Sequence, residues 1–161
     1  TKAACIALQK QIGADVVEIK DLKNNPGKLT MKTDEKLNLV MDTEIDPKTV
    51  DISKYSSFIL GSPIWMGTLS PAIRKFLSLN KFAGKKVAIF TTTNAHENEK
   101  MQVKNKNLVK QSGGEVIGYY QVLAMEEKDG TKVERSIEQI VEDSLKFVPE
   151  IQKLFSSSYS P

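Results

Sequence analysis

The sequence predicts an α/β fold in which one parallel sheet carries helices on both faces, and two observations lead there. Short apolar runs of strand length, Phe58–Leu60 and Val87–Phe90, alternate along the chain with segments whose apolar residues recur at helical spacing. That alternation of helix and strand is the pattern of parallel strands joined by crossover helices. At 161 residues the chain reads as one domain, 1–155, with 156–161 as a disordered tail. No internal repeat divides it.

The elements follow in order. Ala4, Ala7 and Leu8 share a helical face, and Ile12-Gly13 marks the end of that helix. Val16, Val17 and Ile19 predict a short strand, with Glu18 and Lys20 placing it at a sheet edge. Residues 21–32 read as loop around Asn24-Asn25-Pro26-Gly27, and Leu37, Val40 and Met41 predict a short helix over 34–41. Asp46-Pro47 ends that segment, and a polar linker leads to Tyr55. Phe58, Ile59 and Leu60 form a buried strand closed by Gly61 and Pro63, and Ser70-Pro71 opens a helix that buries Ile73, Phe76 and Leu77. The residues between that strand and helix, Ser62–Thr68, read as a loop carrying the only tryptophan, Trp65.

Gly84 breaks the chain before the strand Val87–Phe90, which runs into the hydroxyl-rich loop Thr91–His96. A helix follows from Glu97 to Gln111, with Lys100, Lys104, Lys106 and Lys110 as a solvated face or a dock for an acidic partner. Val116–Met125 predicts one long strand, in which Tyr119 and Tyr120 serve as ordinary strand formers, and Glu126–Gly130 a charged turn. The last helix is marked by Ile137, Ile140, Val141, Leu145 and Val148, with an interruption at Pro149 before Ile151, Leu154 and Phe155.

Composition removes several function classes. The net charge of +3, from 23 basic and 20 acidic residues, is too mild for a nucleic-acid surface. No apolar run reaches the roughly 20 residues that span a bilayer. The single Cys5 excludes an internal disulfide and a cysteine metal cluster and suggests a cytoplasmic location. A single histidine, His96, excludes a multi-histidine metal centre, and no nucleophile-elbow motif supports hydrolytic catalysis, so neither metal ligands nor catalytic residues are assigned. The tryptophan just past the carboxyl end of a buried strand marks the place where open α/β sheets bind ligands.

Taken together, Gly61-Ser62-Pro63-Ile64-Trp65-Met66-Gly67, the helix Pro71–Leu77 after it, and Gly84-Lys85-Lys86-Val87-Ala88-Ile89-Phe90-Thr91-Thr92 resemble the flavodoxin family. The likeness extends from Ala3 to about Phe155. It implies a flavodoxin-like doubly wound sheet of strand order 2-1-3-4-5 with FMN above the strand carboxyl ends. It further implies that Ser62, Pro63, Ile64, Trp65, Met66 and Gly67 on one loop, and Thr91, Thr92, Thr93, Asn94 and Ala95 on the other, surround the cofactor. Trp65 would stack on the ring, the peptide after Met66 would turn its carbonyl toward flavin N5, and backbone groups of Thr92–Ala95 would bond the pyrimidine edge. Gly67 suits that turn because it lacks a Cβ.

In that family a strand and a phosphate loop come before the first helix, and this sequence opens at Thr1, which resembles the end of the loop. A phosphate there would meet free amides at a helix start. The expectation is a natural protein longer by roughly a dozen residues, a strand of about 5–6 residues and its turn.

Each assignment has a plainer alternative. Trp65 is a flavin-stacking ring or a half-buried loop aromatic; Thr91–Thr93 line a cofactor or simply end a strand; His96 is a proton donor or a surface residue; Cys5 is a packing residue or a redox group. Implied by the resemblance are electron transfer through non-covalent FMN, or else an FMN-dependent NAD(P)H:quinone or nitro reductase, or a non-enzymatic binding module on the same fold. The expected partners are redox proteins or a small quinone-type acceptor, for a monomer or homodimer.

Overall fold

A computed structural model describes residues 1–23 and 43–157. The described elements are α1 (Lys2–Ile12), β1 (Lys20–Asp21), β2 (Ile45–Asp46), β3 (Ser57–Trp65), β4 (Thr68–Leu69), α2 (Pro71–Leu79), β5 (Lys86–Thr93), α3 (Glu99–Gln111), β6 (Glu115–Leu123), β7 (Met125–Lys128), β8 (Thr131–Glu134), α4 (Ile137–Leu145) and α5 (Val148–Ser156). The central sheet runs β4-β3-β5-β6, with β3, β5 and β6 parallel and β4 antiparallel to β3. This is the expected α/β architecture, and its parallel strands correspond to the last three of the order 2-1-3-4-5. The expected helix over 34–41 lies outside the described residues.

Strand alternation sorts the core into two layers. On β5, Val87 and Ile89 pack with Leu60, Ile73, Phe76 and Leu77 on one face. Ala88 and Phe90 pack with Ala4, Leu8, Tyr120 and Ile151 on the other. Helices α2 and α3 thus cover one face, and α1, α4 and α5 the other. Because β5 is covered on both sides, its sequence is apolar at every position from Val87 to Phe90, all at 0% exposure.

Five expectations are corrected. The strand over Val16–Ile19 does not form: Val16 and Val17 are 43% and 53% exposed, and among the described residues of this stretch only Lys20–Asp21 pairs, antiparallel with Ile45–Asp46. A β-rich segment with no partner strand among the described residues gains nothing from its propensity. The stretch Ser62–Thr68 is not an open loop. Strand β3 continues through Gly61 and Pro63 to Trp65, turns at Met66-Gly67 and returns as β4. The long strand Val116–Met125 ends at Leu123, and the charged turn Glu126–Gly130 is instead part of a hairpin in which β7 pairs β8 about Asp129-Gly130, both at positive φ. Asp-Gly between extended segments is the type I′ hairpin signal, here masked by charged strand residues. Strand β5 runs on through Thr93, so Thr91–Thr93 are strand rather than loop; the helix expected from about Glu97 begins at Glu99, capped by the Asn98 side chain, which accepts from the Met101 amide.

Pro149 acts as expected: one helix becomes two, α4 and α5, and Pro149 falls in the first turn of α5, where its missing N–H costs nothing. The last helix runs through Ser156, and residues 158–161 lie outside the described part. A capping box, with Ser136 and Gln139 bonding each other's backbone amides, starts α4.

Arg135 fastens the β7–β8 hairpin to the body of the fold. Its guanidinium donates to the Leu123 carbonyl at 2.9 Å and pairs with Asp143 at 2.5 Å, and Lys146 holds the other Asp143 oxygen at 2.6 Å. The hydrogen bonds from Lys146 and Arg135 hold the Asp143 carboxyl below its ordinary range. A carboxylate with a depressed folded-state pKa adds stability above its unfolded pKa and loses it as pH falls through the folded one. Asp143→Asn is therefore expected to cost about 0.2–1 kcal/mol near neutral pH. In urea titrations the gap from the native protein should close below about pH 4; a gap constant down to pH 2 would exclude this role.

Candidate functional site

The carboxyl ends of β3 and β5 lie side by side, with Ser62 in register with Thr91 and Pro63 with Thr92. Two exposed segments rise from this end: the Met66-Gly67 turn after β3 and the Asn94–His96 segment after β5. Trp65, half-buried, is the last residue of β3 and pairs with Thr68 across the turn. Met66 and Gly67 have φ of 53° and 76°, the left-handed pair of a two-residue hairpin turn. Glycine meets that requirement freely, whereas methionine at the first position carries a cost of roughly 1–2 kcal/mol. Met66 is 59% exposed, and a Cβ added at Gly67 would press on the Met101 side chain at 3.2 Å.

The hydroxyls that the sequence offers here are largely engaged within the protein. Ser62 is fully buried; its Oγ accepts from the Ser70 amide at 2.9 Å and donates to the Pro63 carbonyl at 2.8 Å, fastening the base of the hairpin to the start of α2. Thr91 donates to the Glu97 carboxylate at 2.7 Å, and Thr93 to the Ala95 carbonyl at 2.7 Å. The Thr92 hydroxyl bonds that of Thr1, which brings the start of α1 to this same end of the sheet. Ile64 packs toward the core. Of the residues expected at a cofactor, Trp65, Met66, Gly67, Asn94 and Ala95 thus gather around the exposed rim with Thr1 and Thr92 beside them, while Ser62, Ile64, Thr91 and Thr93 support it from below. The amides of Asn94 and Ala95 donate to no group among the described residues. His96 is exposed on the same rim.

Below the rim lies a network that sequence reasoning missed. Glu97 is 6% exposed and its carboxylate accepts from Tyr119 at 2.5 Å, Thr91 at 2.7 Å and Asn105 at 3.0 Å. Burial, followed by the hydrogen bond to Glu97, raises the Tyr119 phenol well above its usual range. Tyr119 is therefore more than a strand former, whereas Tyr120 packs its ring on Phe147 at a centroid distance of 5.0 Å. The available signal was Asn105, a polar residue four positions before Val109 on the inward stripe of α3. Cys5 is half-buried against Gly61, and burial raises its thiol, which fits packing.

Among the described residues no cluster of His, Cys, Asp or Glu is placed to hold a metal ion, and no helix is long and apolar enough to cross a membrane.

Comparison with known proteins agrees with this architecture. No curated protein matches the chain. A candidate flavoprotein from Bacteroides uniformis is 18% identical over 88% of each chain, with a TM-score of 0.61. Another from Bacteroides eggerthii is 18% identical over 92% of each chain, with a TM-score of 0.58. At that identity they establish a shared fold. A flavoprotein from Lactobacillus acidophilus, solved in complex with FMN, is 24% identical over 54% of this chain with a TM-score of 0.42, and the match spans 58% of its length. A family model, the flavodoxin domain, matches residues 27–124, more than half of the chain and including both rim segments. The chain belongs to the flavodoxin domain family.

Proposed function

We propose that the chain binds FMN non-covalently at the carboxyl ends of β3 and β5 and transfers electrons through it. The observation that carries this reading is the pairing of two exposed segments on adjacent parallel strands, one holding Trp65 and the Met66-Gly67 turn, the other the amides of Asn94 and Ala95. Such residues fit a planar ring with a polar edge: an aromatic side chain for a face, free amides for the edge. When bound, FMN supplies one- and two-electron chemistry. The protein's own part is to hold the ring against Trp65, offer amides from Asn94 and Ala95, and place the Met66 carbonyl on a turn whose second residue has no Cβ. Thr1, at the start of α1, stands where free helix amides favour a phosphate.

A carrier in the cytoplasm that serves redox proteins is the first form of this reading. A second form, an FMN-dependent NAD(P)H:quinone or nitro reductase, suits the slightly basic net charge of +3, which attracts an anionic nicotinamide dinucleotide. Steady NAD(P)H consumption with a quinone acceptor would select the enzyme; reduction only through a partner reductase would select the carrier.

The test is to add FMN to the full-length protein, remove the excess and record absorbance and flavin fluorescence. Retained visible bands with quenched fluorescence are expected, and Trp65→Ala should weaken binding about tenfold, the value of one aromatic stack. A colourless protein after the same treatment would defeat the FMN reading.

A further inference from the structure

The buried network below the rim has no part in the reading above, and its composition calls for one. Glu97 forms no ion pair among the described residues, so a carboxylate has been taken out of water on the strength of three neutral donors alone. Removing charge from water is costly, and an apolar side chain in its place would stabilise the core at least as well. The network instead has connectivity that an apolar core lacks. Asn105, at 0% exposure, is its hub. Its Oδ1 accepts from the Leu69 amide at 3.0 Å and the Thr68 hydroxyl at 3.2 Å, directly after the Met66-Gly67 turn. Its Nδ2 donates to Glu97 at 3.0 Å, directly after the Asn94–His96 segment, and to the Tyr119 oxygen at 3.0 Å. Because a backbone N–H occupies Oδ1, the amide has one orientation. One side chain from α3 therefore ties both rim segments together from beneath.

We propose that Asn105 and Glu97 are positioning residues that lock the Met66-Gly67 turn and the Asn94–His96 segment into one unit, so that the cofactor meets a preformed two-sided site. The inference rests on the FMN reading for its ligand and on geometry alone for the lock. Preorganisation of this kind raises affinity by sparing the ligand the cost of ordering the segments.

Three variants test the lock. Asn105→Leu should speed exchange of the Leu69 amide in FMN-free protein while amides of β5 stay protected, and should weaken FMN about tenfold. Asn105→Asp, which keeps an acceptor for Leu69 but sets a second carboxylate against Glu97, should leave Leu69 protected and still weaken FMN. It also serves if the leucine variant does not fold. Glu97→Gln can accept from Asn105 and Tyr119 and donate to Thr91, so the lock survives. Leu69 protection and FMN affinity should then stay near native values, as expected if Glu97 acts through its hydrogen bonds. Unchanged Leu69 exchange in Asn105→Leu, or unchanged FMN affinity in both Asn105 variants, would overturn the lock. Loss of Leu69 protection or of FMN affinity in Glu97→Gln would overturn the hydrogen-bonding part assigned to Glu97. If the native protein ignores FMN, the functional reading fails, and Leu69 exchange still decides whether Asn105 holds the turn.

Discussion

Gly61→Ala is expected to lower stability by about 1–3 kcal/mol, the usual range for overpacking a filled interior. A Cβ on Gly61 would lie 2.4 Å from the Sγ of Cys5, well inside contact distance. Gly61 is in the middle of β3, paired with Phe90 of β5, so the strand has little freedom to retreat. Cys5 is in the first turns of α1, and moving it moves the helix. The strain therefore belongs to one pair of residues, and Cys5→Ala in the same chain should recover most of the loss. A double-mutant cycle in urea measures this directly, with an expected coupling of about 0.5–3 kcal/mol. Additive costs would show that the strain lies elsewhere. Because Thr1 at the start of α1 bonds Thr92 at the site, displacement of α1 should also be felt at the rim.

Phe90→Ala is expected to be more severe, at about 3–5 kcal/mol. Phe90 is fully buried where α1 and α5 meet the sheet, among Ala4, Leu8, Tyr120 and Ile151. Ala4 is too small to fill the space left, and the neighbouring strands fix the backbone, so the cavity would persist. For a chain of this size the loss corresponds to a fall in melting temperature of roughly 6–20 °C. In urea the midpoint should move with little change in slope. A loss below about 1 kcal/mol would mean that the two helices collapse onto the site.

How much of this was legible beforehand depends on the range of the interactions. The apolar cores Phe58–Leu60 and Val87–Phe90 of β3 and β5 were read correctly because burial on both faces writes a continuous apolar run into the sequence, whereas their polar continuations to Trp65 and Thr93 were read as loop. Helix α2 was legible from Ser70-Pro71 and the Ile73, Phe76, Leu77 stripe, and the break between α4 and α5 from Pro149. The rim segments were located through Trp65, Gly67 and the polar run after Phe90. Val16 and Val17 misled because strand propensity counts only where a partner strand is present. The two hairpins escaped notice for opposite reasons. In one, Pro63 hid a strand that continues; in the other, charged residues hid a strand whose turn was plainly signalled by Asp129-Gly130.

The sequence by itself determined the α/β class, the two buried strands with their helices, and the two segments that rise from the carboxyl end of the sheet, since each depends on local spacing and turn chemistry. Only the tertiary structure decided which polar groups remain available there. Thr91 turns to Glu97, Thr92 to Thr1 and Ser62 to Ser70, and Asn105 reaches Leu69, 36 residues away in sequence. Hydrogen bonds of that separation depend on strand register and helix placement, neither of which leaves a periodic trace in the chain.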